Sequence, residues 1–94
     1  MDPRPPADLL ESVHTFPGTF QIRAIGSADG DFVGRVRAAV EQEVAEPGEY
    51  EYSTRETAGG KHVSVALRIQ VQSAEQVRNI YAKLAEVEGI RVLL

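Results

Sequence analysis

The chain has 94 residues, of which 43% are apolar, 14 are acidic and 10 basic for a formal net charge of −4, and none is cysteine. That length fits one domain with a single small core, and the missing cysteine excludes disulfides, a thiol nucleophile and thiolate metal sites. The acidic balance argues against phosphate-driven binding of nucleic acid, which a basic excess would serve.

Residues 1–15 read as a flexible N-terminal tail, with three prolines among the first six positions and a possible short helical turn at Ala7 to Val13. The opening stretch MDPRPPADLLES lacks the basic-then-apolar pattern of an export signal. No apolar run reaches the ~18 residues of a membrane span. The expectation is a cytoplasmic protein with no membrane partner.

Residues 16–94 read as one domain. Phe16-Pro17-Gly18 makes a turn into a strand over Thr19 to Gly26, where Phe20, Ile22 and Ala24 alternate with Gln21, Arg23 and Ile25. The loop SADGD offers Asp29 or Asp31 as a helix N-cap. From Phe32 the apolar spacing lengthens: after Phe32 and Val33, Val36, Val40 and Val44 follow at three or four residues, a helix face that Pro47-Gly48 stops. Glu49 to Thr57 alternates again, with Tyr50, Tyr52 and Thr54 on one side. Ala58-Gly59-Gly60 is read as a hairpin turn. The run KHVSVALRIQVQ is a strand with Val63, Val65, Leu67, Ile69 and Val71 inward. Ser73 then caps a second helix, with Gln76 completing a capping box and Val77, Ile80, Tyr81, Leu84 and Val87 as its stripe. Gly89 ends that helix, and Ile90, Val92 and Leu94 are the expected inward positions of a last strand.

The order β-α-β-β-α-β predicts an α+β, ferredoxin-like two-layer sandwich. Right-handed crossovers put both helices on one face of a single four-stranded antiparallel sheet of order 4-1-3-2. The other face is then bare. By parity it carries Arg23, Arg55, His62, Ser64 and Arg68, with Arg91 and Leu93 at its edge, so it is locally basic in an acidic chain. A solvated polar face, a homodimer interface, and a seat for an anionic metabolite or acidic protein all fit that composition. RNA binding is disfavoured, because the outward positions of the two central strands, Gln21, Arg23, Ile25, Ser64, Ala66 and Arg68, include no aromatic on which a base would stack.

The remaining chemistry is sparse. His14 and His62 are unrelated by any local spacing, so no catalytic pair, no metal site and no cofactor is expected. The Asp29-Gly30-Asp31 loop is a second possible site: its carboxylates repel phosphate and suit either helix capping or a cationic amine. An acylphosphatase-like hydrolase, which has this topology, is disfavoured. That chemistry uses an arginine in the loop after the first strand and an asparagine; SADGD holds no arginine and the only asparagine is Asn79, inside the second helix.

Several segments in order, FPGTFQIRAIG, then GKHVSVALRIQVQSAEQVRNIYAKL, then the closing IRVLL, resemble the small bacterial YbeD-like family of unknown function. Phe16-Pro17, Gly26, Ser64-Val65, Glu75-Gln76, Tyr81, Leu84 and Arg91 to Leu94 carry the likeness. The histidine that many relatives carry after the first helix is absent from EVAEPGEY. The resemblance implies a ferredoxin-like fold similar to ACT regulatory domains and a regulatory role. ACT domains bind amino acids where the first strand-helix loop meets a partner subunit, and Asp29-Gly30 echoes their loop. The expectation is a non-enzymatic binding or regulatory module for a protein partner or small metabolite.

Overall fold

Apolar alternation builds the two central strands of the computed structural model, which describes residues 4–44, 46–57 and 59–94. β1 (Gly18–Ser27) buries Phe20, Ile22 and Ala24, and β3 (His62–Val71) buries Val63, Val65, Leu67, Ile69 and Val71. The intervening side chains turn to the opposite face. The two strands pair antiparallel without a break from Gly18 opposite Val71 to Ser27 opposite His62. β2 (Tyr50–Glu56) lies along β3 and β4 (Ile90–Leu93) along one end of β1, in the order β2-β3-β1-β4. This is the expected ferredoxin-like sheet, counted from the other edge.

Two helices cover one face. α2 (Phe32–Glu41) contributes Phe32, Val36, Ala39 and Val40 to the core, and α3 (Ala74–Ala85) contributes Ala74, Val77, Ile80 and Leu84. Each large apolar side chain so buried supplies about 1.5–3 kcal/mol. Asp31 caps α2 by accepting from the Gly34 N–H at 3.0 Å, and Ser73 caps α3 by accepting from the Gln76 N–H at 3.2 Å. The expected return bond of the capping box lands one residue earlier: Gln76 Oε1 accepts from the Gln72 N–H at 2.7 Å. The same carboxamide donates to the Glu43 carbonyl at 2.8 Å.

α2 is shorter than its apolar spacing predicts. The Glu43 N–H bonds the Val40 carbonyl, a three-residue closure that tightens the last turn. Val44 still packs on the core from beyond the helix, and Pro47–Glu49 forms a single 3₁₀ turn into β2. In the β2–β3 turn Ala58 lies outside the described residues. Gly59 and Gly60 take φ of 89° and 69°, left-handed values that glycine adopts without strain.

Two further differences from the sequence reading matter. Ala7–Val13, expected as at most a helical turn in a tail, is a seven-residue helix (α1) whose Leu10 is 4% exposed within the core cluster. Arg78 Nε reaches back to the Pro5 carbonyl at 3.1 Å. The second difference is a β-bulge in β4. The Ser27 N–H bonds the Gly89 carbonyl at the strand's entry, and Arg23 and Leu94 exchange both backbone bonds, at 3.0 and 2.9 Å, at its exit. Five residues, 90 to 94, must therefore run beside four, 26 to 23, and Arg91 is the extra one. Leu93 consequently pairs with Ala24 on the core side, whereas Val92 and Leu94 share the sides of Ile25 and Arg23. The simple alternation that placed Leu93 outward and Val92 and Leu94 inward is thus reversed. Arg91 is exposed but stands outside the register that assigned it to the open face.

Candidate functional site

The face opposite the helices is organised in rows by the strand register. Glu51, Arg68 and Gln21 form one row, and Ser53, Ala66, Arg23 and Leu94 the next. Arg55, Ser64, Ile25 and Val92 form a third. His62 stands opposite Ser27 at the end of the sheet. Three arginines therefore occupy three successive rows, and Arg23 and Arg68 are diagonal neighbours, a relation that separates backbone positions by about 7–8 Å. Ala66, with its single methyl group, sits at the middle of the second row. On one side of it lies a depression of about 320 Å³ lined by Gln21, Arg23, Ala66, Arg68 and Leu94. On the other is a smaller one, of about 120 Å³, bounded by Glu51, Tyr52, Ser53 and Arg68.

Arginines on the two faces behave differently. On the helix side Arg35 donates from Nε and one terminal nitrogen to the Glu88 carbonyl, at 3.2 and 3.1 Å. Arg37 donates to the Tyr50 hydroxyl, and Arg78 to Pro5 and Glu75. Among the described residues, the guanidinium groups of Arg23, Arg55, Arg68 and Arg91 make no hydrogen bond or ion pair, although Arg68 stands opposite Glu51. Guanidinium groups without partners on one face attract an anion and present forks suited to carboxylates.

The acidic loop is differently occupied. Asp31 is engaged as the α2 cap. Asp29 accepts from the Ser27 hydroxyl at 3.4 Å, while its own N–H donates back to that oxygen at 3.3 Å. Gly30, at φ 66°, makes the turn between them. A depression of about 180 Å³ beside the loop is lined by Gly30, Asp31, Thr54 and Glu56. His14 lies apart from this loop and from the open face, its ring 4.6 Å from that of Phe20. Among the described residues no group of three or more His, Asp or Glu side chains is arranged to hold a metal ion. No described helix is long and apolar enough to cross a membrane.

One cluster escaped the sequence reading. The Tyr50 hydroxyl donates to the Glu41 carboxylate and accepts from Arg37 Nε at 3.1 Å. The Arg37 guanidinium also lies 4.4 Å above the Tyr52 ring. Burial pushes the Tyr50 phenol above its ordinary value; the bond to Glu41 adds to that and the bond from Arg37 opposes it. Hydrogen bonding to Tyr50 also raises Arg37. The i, i+4 spacing of Arg37 and Glu41 on an expected helix was the available signal. The cluster latches the end of α2 to the edge strand β2.

Element order, sheet order and a single helical layer define a ferredoxin-like α+β domain with an open, arginine-bearing face. The chain belongs to the bacterial family described as Protein of unknown function (DUF493), whose model matches residues 11–94. It is 39% identical over 85 residues to a UPF0250 protein of Shewanella piezotolerans and 37% identical to one of Shewanella woodyi, in each case over 90% of this chain and 94% of the relative. The solution structure of HP0495 from H. pylori superposes with a TM-score of 0.66 over 95% of this chain and 93% of that one. At 14% identity that likeness speaks for the fold alone. The resemblance to the YbeD-like family holds across the domain.

Proposed function

We propose that the chain is a non-enzymatic binding module of regulatory kind, which seats an acidic protein partner on the open face of its sheet. The observation that carries this reading is the set of unpartnered guanidinium groups of Arg23, Arg55 and Arg68 in successive rows around an apolar floor of Ile25, Ala66, Val92 and Leu94. Arginine beside small apolar patches is the composition that protein interfaces favour. The overall charge of −4 sharpens the contrast, because most of the chain's carboxylates lie off this face and repel an acidic partner elsewhere. An anionic metabolite would use the same guanidinium groups, whereas a cationic amine would need the Asp29–Asp31 loop, where capping and the Ser27 contact already engage both acids.

The test is an amide- and side-chain-resolved NMR titration of the chain with poly-glutamate, set beside poly-lysine and a single-stranded RNA. Poly-glutamate is expected to shift the Arg23, Arg55 and Arg68 side chains and the Ala66 methyl group. The effect should weaken with salt and disappear in an Arg23→Gln, Arg55→Gln, Arg68→Gln triple variant. An unchanged response in the triple variant would sink the reading. Selective shifts with RNA would replace it with nucleic-acid binding.

A further inference from the structure

β1 has ten residues, and β4 accompanies only its C-terminal half. The ladder between them closes with the pair of bonds joining Arg23 and Leu94. Alternate residues of a strand point their backbone groups the same way. Gln21 and Thr19 therefore turn N–H and C=O toward the side that β4 occupies further along. Among the described residues no strand lies there, and both residues are exposed. The five residues from Gly18 to Ile22 present about 17 Å of open edge. The depression of about 320 Å³ opens beside this stretch, with Gln21, Arg23, Arg68 and Leu94 on its walls. An unpaired edge is a template for another strand, and folded proteins commonly blunt such edges with charge, bulges or cover. Here the bulge lies in β4 and the nearby charges are arginines without partners.

Resting on the reading of the open face as an acidic partner's seat, we propose how that partner binds. An extended segment of it adds to the edge of β1 between Gly18 and Ile22, in line with β4. Backbone bonds to Thr19 and Gln21 hold it, and its alternate side chains, carboxylates, stand on the open face against Arg23 and Arg68. This is strand addition: main-chain bonds supply affinity, and the pocket and charge pattern supply selectivity.

A capped peptide of alternating Glu and Val, at millimolar concentration, is the probe. Hydrogen exchange of the Thr19 and Gln21 amides should slow by about tenfold or more when it binds, while the Arg23 and Arg68 side-chain signals shift. A peptide of the same sequence and charge with alternate amides N-methylated should lose both effects. Equal binding by the methylated peptide overturns strand addition, as does an arginine response without amide protection; in both cases the open-face reading stands. Silence at both places removes the two proposals together. Protection of the same amides by raising the chain's own concentration, without peptide, would place a second copy on the edge and overturn the acidic segment.

Discussion

A β-carbon on Gly26 would stand 2.3 Å from Cε1 of Phe32 and 2.6 Å from the Gly89 carbonyl oxygen. The Phe32 ring, 1% exposed, occupies the space that every other residue at position 26 would claim. At this point the end of β1, the start of α2 and the turn into β4 meet. Gly26→Ala should lower unfolding stability by about 1–3 kcal/mol through overpacking. Adding Phe32→Leu should recover part of that loss. Urea unfolding of the four members of this double-mutant cycle measures the coupling, and strict additivity would show that the two sites do not compete for space.

Removing charge from the open face should leave the fold intact. Arg23→Gln, Arg55→Gln and Arg68→Gln are expected to stay within about 0.5 kcal/mol of the parent, since none of these groups holds a protein partner. Arg68→Glu should behave differently, costing about 0.2–1 kcal/mol because it sets two carboxylates opposite each other with Glu51. Thermal unfolding of the set distinguishes a binding surface from a structural charge network.

Gln76 joins three elements with one carboxamide. Gln76→Ala removes the bond to the Gln72 N–H and the bond to the Glu43 carbonyl, and should cost about 1–2 kcal/mol. Ser73→Ala should cost about 1 kcal/mol as the loss of an N-cap. Calorimetric midpoints report both, with Gln76→Ala the larger.

Leu10→Ala is expected to destabilise the whole domain by about 2–4 kcal/mol, as truncation of a buried leucine does. Amide exchange should quicken in α1 and α3 together, because the two helices pack on one another. An effect confined to residues before Phe16 would separate α1 from the cooperative unit.

Burial raises the phenols of Tyr50 and Tyr81 above the ordinary tyrosine value. Their pKa values are higher folded than unfolded. The stability they contribute is therefore fully present below the unfolded value of about 10, and is lost as pH rises through the folded values. Chemical denaturation across that alkaline window should show falling stability in the parent and a shallower fall in the Tyr50→Phe, Tyr81→Phe variant. Equal slopes would count against the assignment.

Period-two and longer apolar spacing exposed β1, β3, α2 and α3 in the sequence because each buries a full face against the others. Val63 to Val71 could alternate only one way round. β4 was not legible in the same manner. Its register is imposed at both ends by hydrogen bonds to β1, and five consecutive residues, IRVLL, fit either parity. Leu10 was hidden for a related reason: α1 buries one leucine and exposes Leu9 at 53%, too little contrast to form a stripe. Of the candidate site, Arg23, Arg55 and Arg68 followed from alternation alone. The apolar floor beside them depended on Val92 and Leu94, and so on the bulge. The Arg37–Tyr50 latch joins residues thirteen apart, beyond the reach of any local pattern.

Arg91, as the surplus residue of β4, decides which hydrophobic side chain reaches which face without itself entering the core. If the strand ran straight from the pairing of Ile90 with Gly26 and kept every residue, Val92 would move inside opposite Ala24 and Leu93 would leave the interior for the exposed wall. Excising Arg91 would do neither, because Val92, Leu93 and Leu94 would keep Ile25, Ala24 and Arg23 as their partners. The relief that the sheet offers to whatever docks on it is therefore stored in one irregular backbone step, and a sequence could keep every letter of IRVLL and still display a different contact surface if that step were lost.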